Sequence, residues 1–376
     1  MINLIIGGDI CPRGRNLPWF KNGHAEHIFN DLLSDFYEAD LSIINLECPL
    51  IDRETPINKA GSVLGVETEC INTLKNAKID IVNLANNHIL DHGKTGIKST
   101  LKACEEAGIS TVGAGENLGA AKKILIKRVG DTRVAIIGIC QHENSIATDY
   151  SYGANPFDIV NLVRTTLKEK SEYDYLIILV HAGNEHYPYP SPQLKDKCKF
   201  MIEMGANAVI VQHTHCPGCW EKHQNGYIVY GQGNLIFDHE KAPKSFYEGF
   251  LVKLLISQDL TSKMEIIPYL QSKPEIGANK MSNTKKKQFL ELLQHRSNAI
   301  KNDKFLIEQW FKFCKIKKYS YMNRVLTYNK ILTKLNRNGL LYKYCYGKRE
   351  LNRLQNIILC EAHREVLETL FENKII

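Results

Sequence analysis

Side chains that bind metals or transfer protons follow five apolar segments within the first 240 residues. They are Asp9 after Gly8, Asn45 with Glu47, Asn86 with Asn87 and His88, His181 with Glu185, and His213 with His215. Carboxylate, amide and imidazole groups without a thiolate suit divalent ions of hard or borderline character. Two such ions can bind a substrate oxyanion and lower the pKa of a bound water, which is the chemistry of hydrolysis.

The preceding apolar segments are short, rich in β-branched residues and nearly uninterrupted, as strands buried on both faces are. They span residues 2–6, 41–44, 79–82, 175–180 and 208–211. In a mostly parallel α/β sheet the carboxyl ends of the strands share one edge, so residues that follow successive strands converge. Each polar residue alone also fits a helix cap, a turn or an ordinary histidine, but five coincidences predict one site.

Six ordered motifs resemble the poly-gamma-glutamate capsule synthesis (CapA) family. They are Gly8-Asp9 and residues 45–50, 84–93, 112–117, 181–186 and 231–237, and the match is collinear over about the first 270 residues. The segment 84–93 is its most specific part. The family is similar to the calcineurin-like metallophosphoesterases. The resemblance therefore implies an α/β fold arranged as a four-layer α/β/β/α sandwich, with a two-metal centre.

The resemblance also implies a role for individual residues. Asp9 and His215 would bind one ion, Asn87, His181 and His213 would bind the other, and Glu47 would bridge them. His88 would protonate a leaving group or hold the oxyanion, and Asp91 is placed to orient it or to act as an acid at a helix N-terminus. The residues predicted to contact substrate are Asn45, Asn86, Glu185, His186 and Asn234. Glu185 and His186 fit a rigid surface loop equally well.

Cysteines depart from the family pattern at two places. Cys11 stands where metallophosphoesterases usually carry a histidine, so one metal site is expected to be weaker unless the thiolate replaces it. A small core residue is the commoner role of such a cysteine. Cys216 and Cys219 form a Cys-x-x-Cys pair, but no second pair completes a four-sulfur zinc site, so we interpret them as loop packing.

Glycines near the predicted site form no nucleotide-binding motif. Residues 231–234 predict a tight turn in which the backbone approaches a ligand. No Gly-Lys-Ser/Thr sequence follows this turn or the glycines near residue 114, which excludes a P-loop ATPase. A dinucleotide fingerprint and a nucleophile elbow are also absent from the sequence.

A change in composition near residue 280 predicts two domains in the 376-residue chain, at 1–279 and 280–376. Helices are predicted at 95–107 and 193–204 in the first domain, and the second domain should be helical throughout. Residues 281–376 contain 20 Lys and Arg against 8 Asp and Glu, so their balance is +12 and that of the preceding residues is −5.

This basic tail predicts contact with anionic lipid, an acidic polymer or nucleic acid, or only a solvated helix face with its aromatic residues in a core. Those aromatic residues are Trp310, Phe313, Tyr319, Tyr321, Tyr342 and Tyr344. The sequence contains no recognisable nucleic-acid motif. Eleven cysteines without a disulfide framework indicate a reducing compartment, and no apolar run approaches 18 residues. We therefore expect a cytoplasmic protein without a transmembrane segment or leader.

The combined prediction is a cytoplasmic hydrolase that depends on two divalent ions, with manganese, iron and zinc not distinguished. Its expected substrate is a phosphoester or another phosphorylated intermediate of cell-surface polymer metabolism. Two alternatives stay open, because function belongs to the site rather than to the fold. One is metal-dependent amide chemistry on glutamyl polymers. The other is a non-catalytic accessory module that binds polymer or docks on a synthase.

Overall fold

A computed structural model describes residues 1–59, 61–326 and 347–359, and the single positions 331, 334, 336 and 363. The chain forms two compact units, Met1–Ile307 and Glu308–Ile376. The strands are β1 (Ile2–Cys11), β2 (Leu41–Leu46), β3 (Leu50–Ile51), β4 (Val66–Glu67), β5 (Ile81–Asn83), β6 (Ser110–Val112), β7 (Ala114–Gly115), β8 (Leu125–Val129), β9 (Thr132–Cys140), β10 (Gly153–Ala154), β11 (Tyr175–His181), β12 (Ala208–Gln212), β13 (Trp220–His223), β14 (Gly226–Tyr230), β15 (Asn234–Phe237), β16 (Glu248–Ile256), β17 (Ser262–Gln271) and β18 (Ala278–Lys280).

Helices separate and follow these strands. They are α1 (Leu17–Lys21), α2 (Ala25–Phe29), α3 (Leu33–Tyr37), α4 (Ile71–Asn76), α5 (Gly93–Ala107), α6 (Leu118–Ala121), α7 (Ile159–Lys168), α8 (Pro192–Glu203), α9 (Asn283–Ala299), α10 (Asp303–Leu326) and α11 (Lys348–Leu359). The helices predicted at 95–107 and 193–204 correspond to α5 and α8. Ser191 caps α8 by accepting a hydrogen bond from the Leu194 amide, and Pro192 occupies its first turn.

Two mixed sheets hold the predicted strands. The first has the order β18-β17-β16-β1-β2-β5-β6, and β15 also pairs with β1. Strands β1, β2, β5 and β6 are parallel, whereas β16 to β18 are antiparallel. The second has the order β13-β14-β12-β11-β9-β8, with a parallel centre and antiparallel edge strands. The five predicted strands are therefore divided between two sheets.

Successive side chains of a strand point to opposite faces of its sheet, and in the central strands both faces are apolar. One face of each sheet therefore packs on the other sheet, and the opposite face packs on helices. Leu4 and Ile6 of β1 share one core with Ile177 and Leu179 of β11. Ile5, between Leu4 and Ile6, instead belongs to a core with helices α1 to α5. On the outer side of the second sheet, Ile178 and Val180 pack with α7 and α8. The predicted four-layer α/β/β/α sandwich is confirmed.

The division between the two units lies later than the predicted boundary at 279. Phe289 and Leu293 of α9 are buried in the core between the sheets, so this helix belongs to the first unit. Lys195 of α8 also donates hydrogen bonds to the Ile300 carbonyl oxygen (2.6 Å) and to Asp303 (2.9 Å). Helical periodicity alone could not show which core these apolar residues join.

The described part of the tail is helical, as its composition predicts. Trp310 and Phe313 of α10 stack with ring centroids 5.7 Å apart, and Tyr321 is 51% exposed. Tyr342, Tyr344 and the side chain of Tyr319 lie outside the described residues. In the portions of the chain that the structure describes, none of the helices is long and apolar enough to cross a membrane.

Candidate metal centre

The predicted ligands meet where the carboxyl ends of the two sheets come together. Asp9 of β1 is paired in register with Asn45 of β2 and with Asn234 of β15. Glu47 directly follows β2, and His181 is the last residue of β11. The remaining ligands come from the turn after β5 and the segment after β12. The sandwich thus brings together residues that are up to about 200 positions apart.

Six side chains form two overlapping groups of possible metal ligands. Glu47, His181 and His213 form one group, and Asp9, Glu47 and His215 form the other. In each group the ligand atoms lie within 4.8 Å of one another. Asn87 joins the first group, because its Oδ1 is 3.0 Å from His181 Nε2. Glu47 is the shared member, which is the position that the resemblance implies for a bridging carboxylate.

Glu47 is fully buried, yet neither of its carboxylate oxygens has a hydrogen-bond partner among the described residues. Its Oε1 lies 3.3 Å from His181 Nε2, 3.6 Å from His215 Nε2 and 3.9 Å from His213 Nδ1. His213 Nδ1 is also buried without a hydrogen-bond partner. Buried polar atoms are normally satisfied, so these atoms indicate that the site is built for an additional positive group.

The charges of the site are strongly coupled. Burial by itself would raise the pKa of Glu47, but the imidazoles of His215, His181 and His213 outweigh it and hold the pKa well below its ordinary value. Burial raises the pKa of Asp9 to about 7, and the nearby Glu47 carboxylate adds to the shift. A divalent cation would favour the ionised form of both carboxylates.

The pKa of His213, which follows β12, shifts in the opposite direction from that of His181. Burial lowers the pKa of His181 to about 3, so its imidazole is neutral and has a lone pair for a cation. Burial also lowers the pKa of His213, but contact with Glu47 outweighs this effect and the net pKa is raised. His213 and His215 both adopt positive φ, at 89° and 51°. Such backbone strain is rare outside glycine and is concentrated at functional sites.

Amide groups hold two of the candidate ligands in position by hydrogen bonds. Asn45 Nδ2 donates to Asp9 Oδ1 (2.7 Å), and the His213 backbone amide donates to Asp9 Oδ2 (3.0 Å). Asn234 Oδ1 is 2.8 Å from His215 Nδ1, which leaves His215 Nε2 toward Glu47. A partner that fixes the second ring nitrogen is the usual arrangement around a metal-binding histidine.

Three predicted substrate contacts have other tasks in the structure. Asn45, Asn86 and Asn234 are fully buried, and their amides are engaged within the protein. Asn86 donates to the Leu46 carbonyl oxygen (2.8 Å) and accepts from the His88 amide (3.1 Å), so it shapes the turn after β5. These bonds give Asn45, Asn86 and Asn234 a supporting role, and contact with substrate stays a prediction for all three. Sequence cannot separate the two roles, because an asparagine after a strand serves either.

Glu185 and His186 are exposed at the rim of the site and remain the proposed substrate contacts. The ring of His186 lies 6.3 Å from that of His215 and 6.1 Å from that of Phe246. Its backbone amide donates to the Thr214 carbonyl oxygen (2.8 Å) at a φ of 61°. The rigid-loop interpretation and the substrate interpretation are therefore compatible.

His88 and Asp91 form a pair beside the ligand groups rather than within them. His88 Nδ1 is 2.7 Å from Asp91 Oδ2, and 13% of the His88 side chain is exposed. The two residues lie in a turn that ends before α5 begins at Gly93, so Asp91 is not a helix-terminal acid. The contact predicted between residues three apart nevertheless forms.

Lys59 is a site residue that the sequence did not reveal. Its ammonium group contacts Asp91, the Asn87 carbonyl oxygen (3.3 Å) and His88 Nδ1 (3.3 Å). Lys59 lies in a polar loop between β3 and β4, where no apolar periodicity or motif identifies it.

The cysteines contribute no ligand to these groups. Cys11, Cys216 and Cys219 are buried, and within the described part of the chain none belongs to a cluster that could hold a metal ion. Burial raises the pKa of Cys216 to about 12, as expected for an inert thiol in the core. Loop packing, as predicted, describes the Cys-x-x-Cys pair.

Glycines let the strands that carry the ligands approach closely. A Cβ at Gly8 would lie 2.1 Å from the Gly233 carbonyl oxygen. The register of β1 also shifts between Ile6 and Asp9. The turn at 231–234 brings its backbone close to the backbone beside Asp9. Its approach to a ligand stays a prediction.

The donor set fits divalent ions: the Asp9 carboxylate, one amide and three imidazoles surround the buried carboxylate of Glu47, whose oxygens accept no hydrogen bond from the described residues. When bound, such ions polarise an ester oxygen and lower the pKa of a water. His88 follows the candidate ligand Asn87 in the chain and has a ring nitrogen, Nε2, for which no contact with Asp91 is seen. The arrangement can therefore support metal-assisted hydrolysis with an adjacent proton donor.

The chain is similar to several known proteins. The capsule biosynthesis protein CapA of Bacillus anthracis is 28% identical over 277 residues, 71% of this chain and 67% of that protein. The PGA biosynthesis protein CapA of Bacillus subtilis (strain 168) is 25% identical over 279 residues, 73% of each chain. A solved putative 5'-nucleotidase from Staphylococcus aureus is 14% identical with a TM-score of 0.45, covering 78% of this chain and 58% of that one.

A family model covers most of the sandwich and all six candidate ligands. It is described as "Bacterial capsule synthesis protein PGA_cap" and matches residues 3–239. This range begins in β1 and ends just after β15, so it includes every strand whose end contributes a ligand. Because the match extends over more than half of the chain, the protein belongs to this bacterial capsule synthesis family.

Proposed function

We propose that the protein is a hydrolase that uses two divalent metal ions and acts on a phosphoester or another phosphorylated intermediate of cell-surface polymer metabolism. The observation that carries the proposal is the buried carboxylate of Glu47, which is shared by two groups of ligands and accepts no hydrogen bond from the described residues. One ion would be held by Asp9, Glu47 and His215, and the other by Glu47, Asn87, His181 and His213. Manganese, iron and zinc all suit these donors.

Different residues of the chain would have different roles in the reaction. Asn45 and the His213 amide hold the Asp9 carboxylate in place, and Asn234 holds His215. His88, oriented by Asp91, would supply a proton to the leaving oxygen. Glu185 and His186 would contact the substrate at the exposed rim. The metal ions, when bound, supply positive charge for the oxyanion and activate the attacking water.

A second candidate is amide hydrolysis or transfer on glutamyl polymers. It is favoured by the similarity to a protein named for PGA biosynthesis, because a metal centre that polarises a phosphoryl oxygen also polarises an amide carbonyl. The substrate in either case is expected to be anionic. We further propose a reducing, cytoplasmic location, supported by nine described cysteines that are all free, eight of them buried.

A substrate panel tests the proposal. Purified protein is loaded with Mn²⁺, Fe²⁺ or Zn²⁺ and assayed on aryl and alkyl phosphomonoesters, a phosphodiester and γ-glutamyl amides. Phosphate release that chelator abolishes, and that His213→Ala lacks, would support the phosphoesterase. Amide cleavage alone would favour the second candidate. Inactivity on all of them, with tight binding of an acidic polymer, would contradict both and favour an accessory binding module.

A further inference from the structure

Lys59 is a buried cation beside the proposed proton donor. Only 3% of its side chain is exposed, and its ion pair with Asp91, itself 1% exposed, is enclosed by protein. A buried ammonium group is costly unless it is paired and hydrogen-bonded, so its partners identify its task. Its partners are Asp91, the Asn87 carbonyl oxygen and His88 Nδ1. Lys59 thus contacts Asn87, His88 and Asp91, which are three of the candidate functional residues of the turn after β5.

The Asp91 carboxylate is shared between Lys59 and His88. Its Oδ1 contacts the Lys59 ammonium group. Its Oδ2 lies 2.7 Å from His88 Nδ1 and accepts a hydrogen bond from the Leu64 amide (2.6 Å). The carboxylate is therefore fixed from two sides by one loop, which leaves Oδ2 directed at His88. Charge-assisted bonds of this kind are among the strongest in proteins.

The loop that carries Lys59 is tied to the same turn at further points. We call residues 52–59 and 61–65 the strap; Ala60 between them is outside the described residues. The Ile57 amide donates to the Asp91 carbonyl oxygen (2.9 Å). Thr55 donates through its amide to His92 Nδ1 (2.8 Å) and through Oγ1 to the His92 carbonyl oxygen (2.8 Å). These bonds lie within the protein, so they hold Lys59 next to Asp91 before any substrate binds.

We propose that Lys59 is a positioning residue that fixes the Asp91 carboxylate and, through it, the ring of His88 for proton donation. This inference rests on the proposed hydrolase function. Lys59 is too enclosed to hold the substrate, and it contacts Asn87 through the backbone rather than through the amide oxygen proposed as a ligand. Its removal should therefore weaken proton donation and leave metal binding unchanged.

The test compares Lys59→Met, which keeps the length of the side chain but removes its charge and donors, with Arg53→Met, an exposed cation on the same strap. Hydrogen exchange of the peptide 61–66, measured on metal-free protein, reports the Leu64 amide. We expect exchange roughly tenfold faster in Lys59→Met and unchanged exchange in Arg53→Met, because a hydrogen bond to a charged group is lost or loosened. Unchanged exchange in Lys59→Met would overturn the proposal.

Leaving-group dependence separates positioning from a purely structural role. An alkyl phosphate needs a proton donor more than p-nitrophenyl phosphate does. We expect Lys59→Met to lose about tenfold more kcat on the alkyl ester, with KM and metal content nearly unchanged, and to cost little more in a His88→Ala background. Equal losses on the two esters, or additive losses in the double variant, would overturn the proposal.

Two further outcomes are distinguishable. If Lys59→Met folds poorly, Lys59→Gln, which keeps a neutral donor, is measured in the same two assays with the same expectations of direction. If the wild type hydrolyses no ester, the proposed function fails and positioning for catalysis fails with it. Faster exchange in the variant would then still show that Lys59 holds Asp91.

Discussion

Replacing His88 by alanine should abolish proton donation without removing the metal ions. His88 belongs to neither ligand group, and its Nδ1 is committed to Asp91. The alanine leaves Asp91 bonded to Lys59 and to the Leu64 amide, so no buried charge loses its last partner. We therefore expect little loss of stability and an unchanged metal content.

The magnitude follows from the role of a positioned general acid. Such a group contributes about 10²- to 10⁴-fold to the rate. Since each factor of ten is worth about 1.4 kcal/mol, the barrier should rise by about 3–5 kcal/mol. The loss should appear in kcat for an alkyl phosphate and should be smaller for p-nitrophenyl phosphate, because that leaving group needs little protonation. KM should change by less than about threefold, because the loss lies in the transition state.

The assay is steady-state phosphate release at saturating metal, with metal content measured on the same samples. His295→Ala is the matched control, since His295 is an exposed histidine of α9 and belongs to none of the groups that could hold a metal ion. A His88→Ala protein that loses its metals, or that keeps the full rate on the alkyl ester, would refute the assigned role.

Two further predictions concern the framework. Gly8→Ala places a Cβ 2.1 Å from the Gly233 carbonyl oxygen and should lower the free energy of unfolding by at least about 2 kcal/mol in urea titrations. Gly7→Ala, whose Cβ would meet side chains rather than backbone (Leu235 at 2.6 Å, Ile44 at 3.1 Å and Leu251 at 3.5 Å), should cost less. Burial lowers the pKa of His92 below 6.5, so stability from its bond with Thr55 is present above about pH 6.5 and is lost as pH falls through that lowered pKa. Thermal unfolding at pH 7.5 and 5.5 should show a weaker pH dependence in His92→Asn, which keeps an acceptor; an identical dependence would argue against this assignment.

The ligands could be predicted from sequence because their positions follow from strand topology. Asp9, Glu47 and His181 stand at the ends of apolar strands, and a β-sandwich brings such ends together regardless of their separation in sequence. The motif between residues 84 and 93 located the remaining turn. The sequence pattern was sufficient for these ligands because the course of the backbone determines where they lie.

Other features depend on side-chain packing, which no periodicity encodes. Lys59 reaches the site because a loop folds back over a turn. The buried amides of Asn45 and Asn234 face ligands rather than solvent, a difference of orientation that sequence does not express. Helix α9 belongs to the first unit because Phe289 and Leu293 are buried between the sheets, although its composition resembles the basic tail.

The central claim is that Glu47 joins two metal sites, and metal content tests it most directly. Untagged protein is expressed with manganese, iron and zinc available, and the bound metals are quantified by mass spectrometry beside Glu47→Ala. The two overlapping ligand groups predict about two ions per chain in the wild type and a sharp fall in the variant, because both groups lose a shared ligand. Protein that binds no ion even after reconstitution, or a Glu47→Ala variant that retains both ions, would contradict the account.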